Sequence, residues 1–175
     1  MRSTARSGAW NRCERGSSLV EFALVLTILF MVIFGVMDFS RAAYAYNFIA
    51  SAASAAARYA IVRGATCSTW ATACPAAASD ITSYVQSMVP PGIQVTSAST
   101  CPGSPSNTAG TLTVCATWPG TAGSGSACAE TSGKANTPGC VVKVQVQYAF
   151  QFSLPFLPRS STYTMTANSQ MVISQ

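Results

Sequence analysis

The length, composition and charge of this chain exclude several classes of protein. Its 175 residues predict one folded domain, or one domain with an appendage, and leave no room for a second enzyme-sized domain. Only 9% of the residues are charged and the net charge is +5, of which +3 falls within residues 1–16. The other basic residues are scattered over more than a hundred positions. We therefore expect no nucleic-acid binding, which needs clustered Lys and Arg.

An apolar segment follows the basic N-terminus. Phe22–Met37 contains 16 residues without a charge, and extension back to Leu19 gives about 28 Å of α-helix. This length nearly spans a hydrocarbon core of about 30 Å. Because arginines crowd the N-terminal side, the positive-inside tendency places residues 1–16 in the cytoplasm and the long C-terminal part across the membrane.

A secretory signal peptide is the first alternative for this segment. A basic region, an apolar region and a small-residue sequence at Ala50–Ala52 are all present. However, the apolar stretch is longer than a usual signal-peptide core, and helical periodicity continues to Arg63 with no Gly or Pro after Gly35. These two features favour a membrane anchor that continues as a helix.

Glu21 is an unusual residue in this apolar run. A carboxylate costs about 2.5 to 3.5 kcal/mol if it reaches the bilayer centre, and less near the end of a span. An isolated Glu here would be interpreted as an interfacial side chain that reaches water. Its neighbours add information, because Gly16 lies five residues before it, at the border between the basic leader and the apolar helix.

The sequence Arg15–Glu21 resembles a type IV prepilin processing site. This resemblance implies that a membrane aspartyl peptidase cuts after Gly16, so that Ser17 becomes the N-terminus and Glu21 the fifth mature residue. A free α-amino group and a carboxylate in a low-dielectric region favour neutralising each other between neighbouring subunits over remaining unpaired. The resemblance therefore assigns Glu21 to subunit assembly.

Three further stretches are similar to the N-terminal signature of TadE-like proteins: Glu21–Leu26, Asp38–Ala42 and Ala55–Ala60. The resemblance covers roughly residues 15–62, and Thr27 stands where the family commonly has Pro. It implies a minor pseudopilin of the tight-adherence or Flp-type pilus assembly system. The implied partners are membrane lipid, a prepilin peptidase, other pilus or pseudopilin subunits and the assembly platform. The implied location is the bacterial inner membrane, with the C-terminal domain periplasmic or extracellular, and the subunit either stays there or enters a pilus.

The helix beyond the membrane carries one predicted apolar seam. Its residues recur at steps of three and four, which is typical of a helix face that another surface covers. The cover could be the chain's own domain or neighbouring subunits. We also expect Asp38 and Arg41, three residues apart, to form a solvated interfacial pair. The predicted seam comprises Phe39, Ala42, Tyr46, Ile49, Ala53, Ala56 and Ala60.

The remainder predicts a small β-rich domain. A second helix is expected over about 76–89, with its apolar face formed by Ile81, Tyr84, Val85, Met88 and Val89. In the third of four predicted strands, apolar residues alternate with Lys143 and three glutamines, which indicates one buried and one solvated sheet face. Residues 119–140 are expected to form a long loop and 154–158 a rigid connector. The predicted strands are 93–97, 111–118, 142–152 and 163–173.

The cysteine count agrees with export. Cys13 lies in the leader, and its removal leaves an even six, which permit 15 connectivities. Closeness in sequence favours Cys67 with Cys74 and Cys128 with Cys140, which leaves Cys101 with Cys115. Zinc is the alternative, but the sequence contains no Cys-x2-Cys pair and no His. The predicted disulfide residues are Cys67, Cys74, Cys101, Cys115, Cys128 and Cys140.

The sequence does not favour catalysis. Without His there is no Ser-His or Cys-His arrangement, and Asp80 and Glu130 are the only acids of the exported part. No Walker or Rossmann glycine pattern lies between a strand and a helix. We therefore expect no enzyme, no cofactor, no metal and no small-molecule substrate.

The predicted fold class is α+β and pilin-like: a long transmembrane and extended helix packed on a small antiparallel, disulfide-bearing sheet. The predicted parts are a removed leader over 1–16, the helix over 17–64 and the exported domain over 65–175. Two alternative functions remain open. One is an unprocessed single-span protein with an adhesive or scaffolding domain outside the cytoplasm, and the other is a secreted binding domain behind a signal peptide.

Overall fold

The computed structural model of the chain describes residues 14–67, 73–98, 100–128, 135–153 and 162–174. Two compact units divide between Ser40 and Arg41. The helices are α1 (Glu14–Ile61) and α2 (Ala78–Met88). The strands are β1 (Gln94–Ser97), β2 (Thr111–Thr117), β3 (Val141–Phe150) and β4 (Tyr163–Val172). Each predicted helix and strand of the exported part is therefore present, with bounds within about two residues of the prediction.

In the first unit, α1 is continuous through Thr27, the position where the family commonly has Pro. The Thr27 hydroxyl donates to the carbonyl of Ala23 at 2.8 Å, and the Ser40 hydroxyl donates to that of Val36 at 2.8 Å. Both hydroxyls are thus satisfied within the helix, so neither needs water.

In the second unit, the C-terminal part of α1 supplies one wall of the core. Its buried residues recur at spacings of three and four, which gives the broad apolar stripe of a helix that packs on a domain. All but one are Ala, so the helix backbone lies close to the surface that it covers. They join the buried side chains of α2 and the sheet in one apolar cluster. The stripe comprises Ile49, Ala52, Ala53, Ala56, Ala57 and Ala60.

The helix α2 begins with a carboxylate cap. The Asp80 carboxylate accepts a hydrogen bond from the backbone N–H of Ala77 at 2.8 Å, which satisfies a backbone donor at the start of the helix. Ile81 and Val85, one turn apart, are fully buried. The predicted apolar face of this helix is therefore the face that packs on the domain.

The sheet is mixed, with strand order β1-β2-β3-β4. The β2–β3 and β3–β4 pairs are antiparallel, as predicted, but β1 pairs with β2 in parallel from Gln94 opposite Thr111 to Ser97 opposite Val114. The expectation of a purely antiparallel sheet is wrong at this pair. Parallel neighbours need a long crossover, and residues 98–110 provide it.

The crossover is tied to the face of β2 and β3 that carries Cys115 and its cross-strand neighbour Gln145. Cys101 pairs with Cys115, whose side chain is 2% exposed, and the backbone N–H of Gly103 donates to Oε1 of Gln145 at 3.1 Å. As a result β2 is buried on both faces from Thr111 to Ala116. Gln147 on β3 is also buried, so the predicted solvated face of the sheet is open only in part.

Three disulfides link the pairs that closeness in the sequence favours. Cys67 with Cys74, Cys101 with Cys115 and Cys128 with Cys140 have Cα atoms 6.0, 5.7 and 5.4 Å apart. Within the predicted loop 119–140, Ala122 forms an isolated antiparallel bridge with Cys140. Residues 129–134, the connector 154–158, Cys13 and most of the leader lie outside the described residues.

Candidate membrane and assembly site

The first part of α1 exposes a continuous apolar surface. Apart from the half-buried Leu26, its large apolar residues from Leu19 to Phe39 are between 43% and 74% exposed. An 18-residue stretch of this helix has a mean hydropathy of 2.7, and none of its residues is buried. Burying such side chains is worth about 1.5 to 3 kcal/mol each, and soluble proteins rarely expose so large an apolar patch. This helix is long and apolar enough to cross a membrane, and it fits a single-pass anchor.

The predicted processing residues lie on α1, whose described residues start at Glu14, so the Gly16–Ser17 bond joins two residues of the described helix.

Glu21 lies one turn after Ser17 on the same side of α1, because residues four apart share a helix face. Both side chains are exposed. Side chains on a helix lean toward its N-terminus, so the Glu21 carboxylate leans toward the level of Ser17. The geometry brings these two predicted residues together at one end of the apolar surface.

The predicted seam is covered only in its second half. Ile49, Ala53 and Ala56 are buried by the chain's own domain, whereas Phe39 and Tyr46 are 74% and 59% exposed. The chain's own domain therefore covers the second half of the seam.

Asp38 and Arg41 differ from the expected solvated pair. Asp38 is only 6% exposed, so the expectation of a solvated carboxylate is wrong. Arg41 donates from Nη1 to the hydroxyl of Ser153 at 3.4 Å, a contact between α1 and the segment after β3. A sequence pattern could not reveal this contact, because the two residues are 112 positions apart.

The Asp80 carboxylate and the described cysteines of the second unit have structural partners. In the part of the chain that the structure describes, no group of three or more His, Cys, Asp or Glu residues could hold a metal ion. The Asp80 carboxylate caps α2, and the six described cysteines are paired. Glu130 lies outside the described residues.

Sequence reasoning missed one exposed aromatic residue. Tyr44 is 65% exposed on α1, five residues after Phe39. Its signal was available, because Tyr is enriched where a membrane helix leaves the hydrocarbon.

Comparison with known families finds one match. The family model described as TadE-like protein matches residues 16–58. The matched region begins at Gly16 and ends three residues before the end of α1. It is therefore confined to the helix and includes both its exposed apolar part and most of its buried stripe. Neither the curated proteins nor the solved structures give a match.

Proposed function

Because residues 16–58 match the TadE-like family model, we propose that the chain is a minor pseudopilin of a tight-adherence or Flp-type pilus assembly system. In this role it is a membrane-anchored structural component and not an enzyme. The observation that carries the proposal is the extent of the match. It starts at the Gly of the expected processing site and follows the one helix that carries both an exposed apolar surface and a stripe packed in a folded domain.

Processing by a prepilin peptidase is the first element of this function. Cleavage between Gly16 and Ser17 removes the basic leader and leaves Ser17 with a free α-amino group. The family match supports it, because the matched region starts at Gly16. The mature chain then begins at Ser17, four residues before Glu21, which ends the Gly-x4-Glu pattern.

Association through Glu21 is the second element. The carboxylate is exposed on an otherwise apolar helix surface, and no Lys or Arg lies within one turn of it in the mature sequence. An ionic group in a poorly solvated place is stabilised strongly by an opposite charge and penalised without one. The α-amino group of Ser17 on a neighbouring subunit supplies that charge. Pairing of these groups sets the register between subunits.

The location follows from the same helix. The apolar part of α1 lies in the bacterial inner membrane as a single span, and the basic leader faces the cytoplasm. The disulfide-bearing domain is then periplasmic or extracellular, a compartment in which disulfides persist. Its partners are membrane lipid, the peptidase, other pilus subunits and the assembly platform.

A second candidate function is an unprocessed single-span protein with an adhesive or scaffolding domain outside the cytoplasm. One observation favours it: the family match ends at Arg58 and does not include α2 or the sheet. The exported domain could thus have a role of its own. In this case Glu21 has no assembly role, so removal of its charge distinguishes the two candidate functions.

Substitution of Glu21 tests the assembly role. Glu21→Gln keeps the shape and removes the charge, whereas Glu21→Asp keeps the charge on a shorter side chain and serves as the matched control. We expect the Gln variant to be cut at Gly16, to insert and to form its disulfides, but to lose crosslinks to other pilus subunits in membranes. The Asp variant should retain a substantial share of them.

If Glu21 is only an exposed carboxylate at the headgroups, its interactions contribute under about 1 kcal/mol. Both variants would then crosslink like the parent. Normal crosslinking and piliation with Glu21→Gln would remove the assembly role and leave the anchored domain in place.

A further inference from the structure

Two tyrosines are exposed where α1 continues beyond its apolar segment. Tyr44 is 65% exposed and Tyr46 is 59% exposed. Both lie in the second unit, in which one stripe of α1 from Ile49 to Ala60 is packed into a core. A large aromatic ring left in water forgoes the favourable burial of its apolar surface. Two such rings within three residues therefore indicate a surface that is covered in the functional state.

The position of the two rings along α1 corresponds to the headgroup layer of a bilayer. Tyr44 and Tyr46 follow Phe39, an exposed large apolar residue, by five and seven positions. These spacings correspond to about 7.5 and 10.5 Å along the axis. Because helical side chains lean back over the preceding turn, the phenol groups reach back toward Phe39 by roughly one turn of about 5 Å. They then fall in the headgroup layer, which is about 5 to 7 Å thick on each side of the hydrocarbon.

The distribution of the rings around the helix argues against a single protein partner. Residues two apart differ by about 200° around an α-helix, so Tyr44 and Tyr46 lie on nearly opposite sides. A helix of a second subunit packs against one side and would leave one of the rings exposed. A layer that surrounds the helix covers both.

We infer that Tyr44 and Tyr46 bind the phospholipid headgroup layer on the side of the membrane where the folded domain lies, and thereby fix how deeply α1 is inserted. Each ring packs against the upper ends of the acyl chains, and each hydroxyl bonds to ester or phosphate oxygens. This inference rests on the proposed membrane anchor and adds the place along α1 where the bilayer ends. Asn47 and Ser51, the exposed polar residues that follow, then lie at or beyond this layer.

Fluorescence quenching tests this inference with the full-length chain in phosphatidylcholine vesicles. Trp10 and Trp70 are replaced by Phe throughout, and Trp118 gives the same background in each protein. Tyr44→Trp and Tyr46→Trp are compared with Tyr163→Trp, a matched control because Tyr163 is 69% exposed but lies on β4. The lipids carry bromine either near the top of the acyl chains or near their methyl ends.

We expect shallow bromines to quench the added emission of the Tyr44→Trp and Tyr46→Trp variants about twofold more than deep bromines. The Tyr163→Trp variant should respond to neither. Emission from the Tyr44→Trp and Tyr46→Trp variants that responds like that of the control, or more to deep than to shallow bromines, would overturn the inference. Flotation of the same vesicles separates the two claims: a chain that does not float with lipid overturns the anchor and this inference together, whereas a floating, unquenched chain overturns the inference alone.

Discussion

Tyr59 of α1 and Tyr84 of α2 stack with their ring centroids 4.3 Å apart and their planes 19° apart. The guanidinium of Arg63 lies 3.8 Å from the centroid of the Tyr59 ring, as a cation–π contact. The stack joins the C-terminal part of α1 to the second helix of the domain. It is thus one of the contacts through which the exported domain is fixed to its helix.

Removal of the Tyr84 ring should loosen this contact. Tyr84→Ala is expected to lower the free energy of unfolding by about 1 to 3 kcal/mol, because it removes a half-buried ring and its stacking contact with Tyr59. Tyr84→Phe keeps the ring and should change stability by less than about 0.5 kcal/mol. Urea unfolding of the full chain in detergent micelles, followed by near-ultraviolet circular dichroism, measures both. Equal stability of the two variants would show that the stack does not contribute.

The Ala stripe of α1 makes a matched pair of substitutions available. Ala56 is fully buried against the domain, whereas Ala50 lies on the exposed side of the same helix. Ala56→Leu should cost about 1 to 3 kcal/mol through overpacking, and Ala50→Leu should change stability by less than about 0.5 kcal/mol. The same unfolding measurement applies. If Ala50→Leu were the more damaging change, the assignment of the buried face would be wrong.

The disulfide between Cys101 and Cys115 should stabilise the domain by restraining the crossover. The two residues are 14 positions apart, and a loop of about 15 residues corresponds to roughly 3 kcal/mol in the chain-entropy model. Replacement of both residues by Ala should lower stability by about this amount and speed amide exchange at β1. Unchanged exchange at Gln94–Ser97 would show that the crossover is held without the covalent link.

The strands of the domain could be predicted closely because their pattern is local. In β3, Val142, Val144 and Val146 alternate with polar residues, and this alternation fixes which face meets the core. The direction of β1 relative to β2 could not be predicted, because alternation does not depend on the direction of the neighbouring strand. The burial of Thr113 could not be predicted either, because the segment that covers its face comes from a crossover tied by a disulfide.

The extent of α1 could be predicted from the sequence, but not which part of its apolar seam is buried. A period of three and four predicts an apolar seam, and the same period runs through Phe39 and Ile49 alike. The period therefore does not distinguish the buried Ile49 from the exposed Phe39. The burial of Asp38 could not be predicted either, because its neighbours in the sequence do not determine it. The roles of Gly16 and Glu21 stay predictions.

Substitution of Gly16 examines processing separately from assembly. Gly16→Leu places a bulky side chain where the peptidase is expected to cut, so the leader should remain attached. The product should be about sixteen residues longer than the parent on denaturing gels and should not enter pilus assemblies. A variant that migrates and functions like the parent would contradict cleavage at this bond.

The N-terminal residue of the protein purified from its native membrane tests the central claim most directly. Edman degradation or intact mass, recorded with disulfides preserved, should give a chain that begins at Ser17 and carries no free thiol. A chain that begins at Met1 would contradict processing and favour the unprocessed single-span protein. A start near residue 50 would contradict the anchor itself, because the apolar part of α1 would then have been removed as a signal peptide.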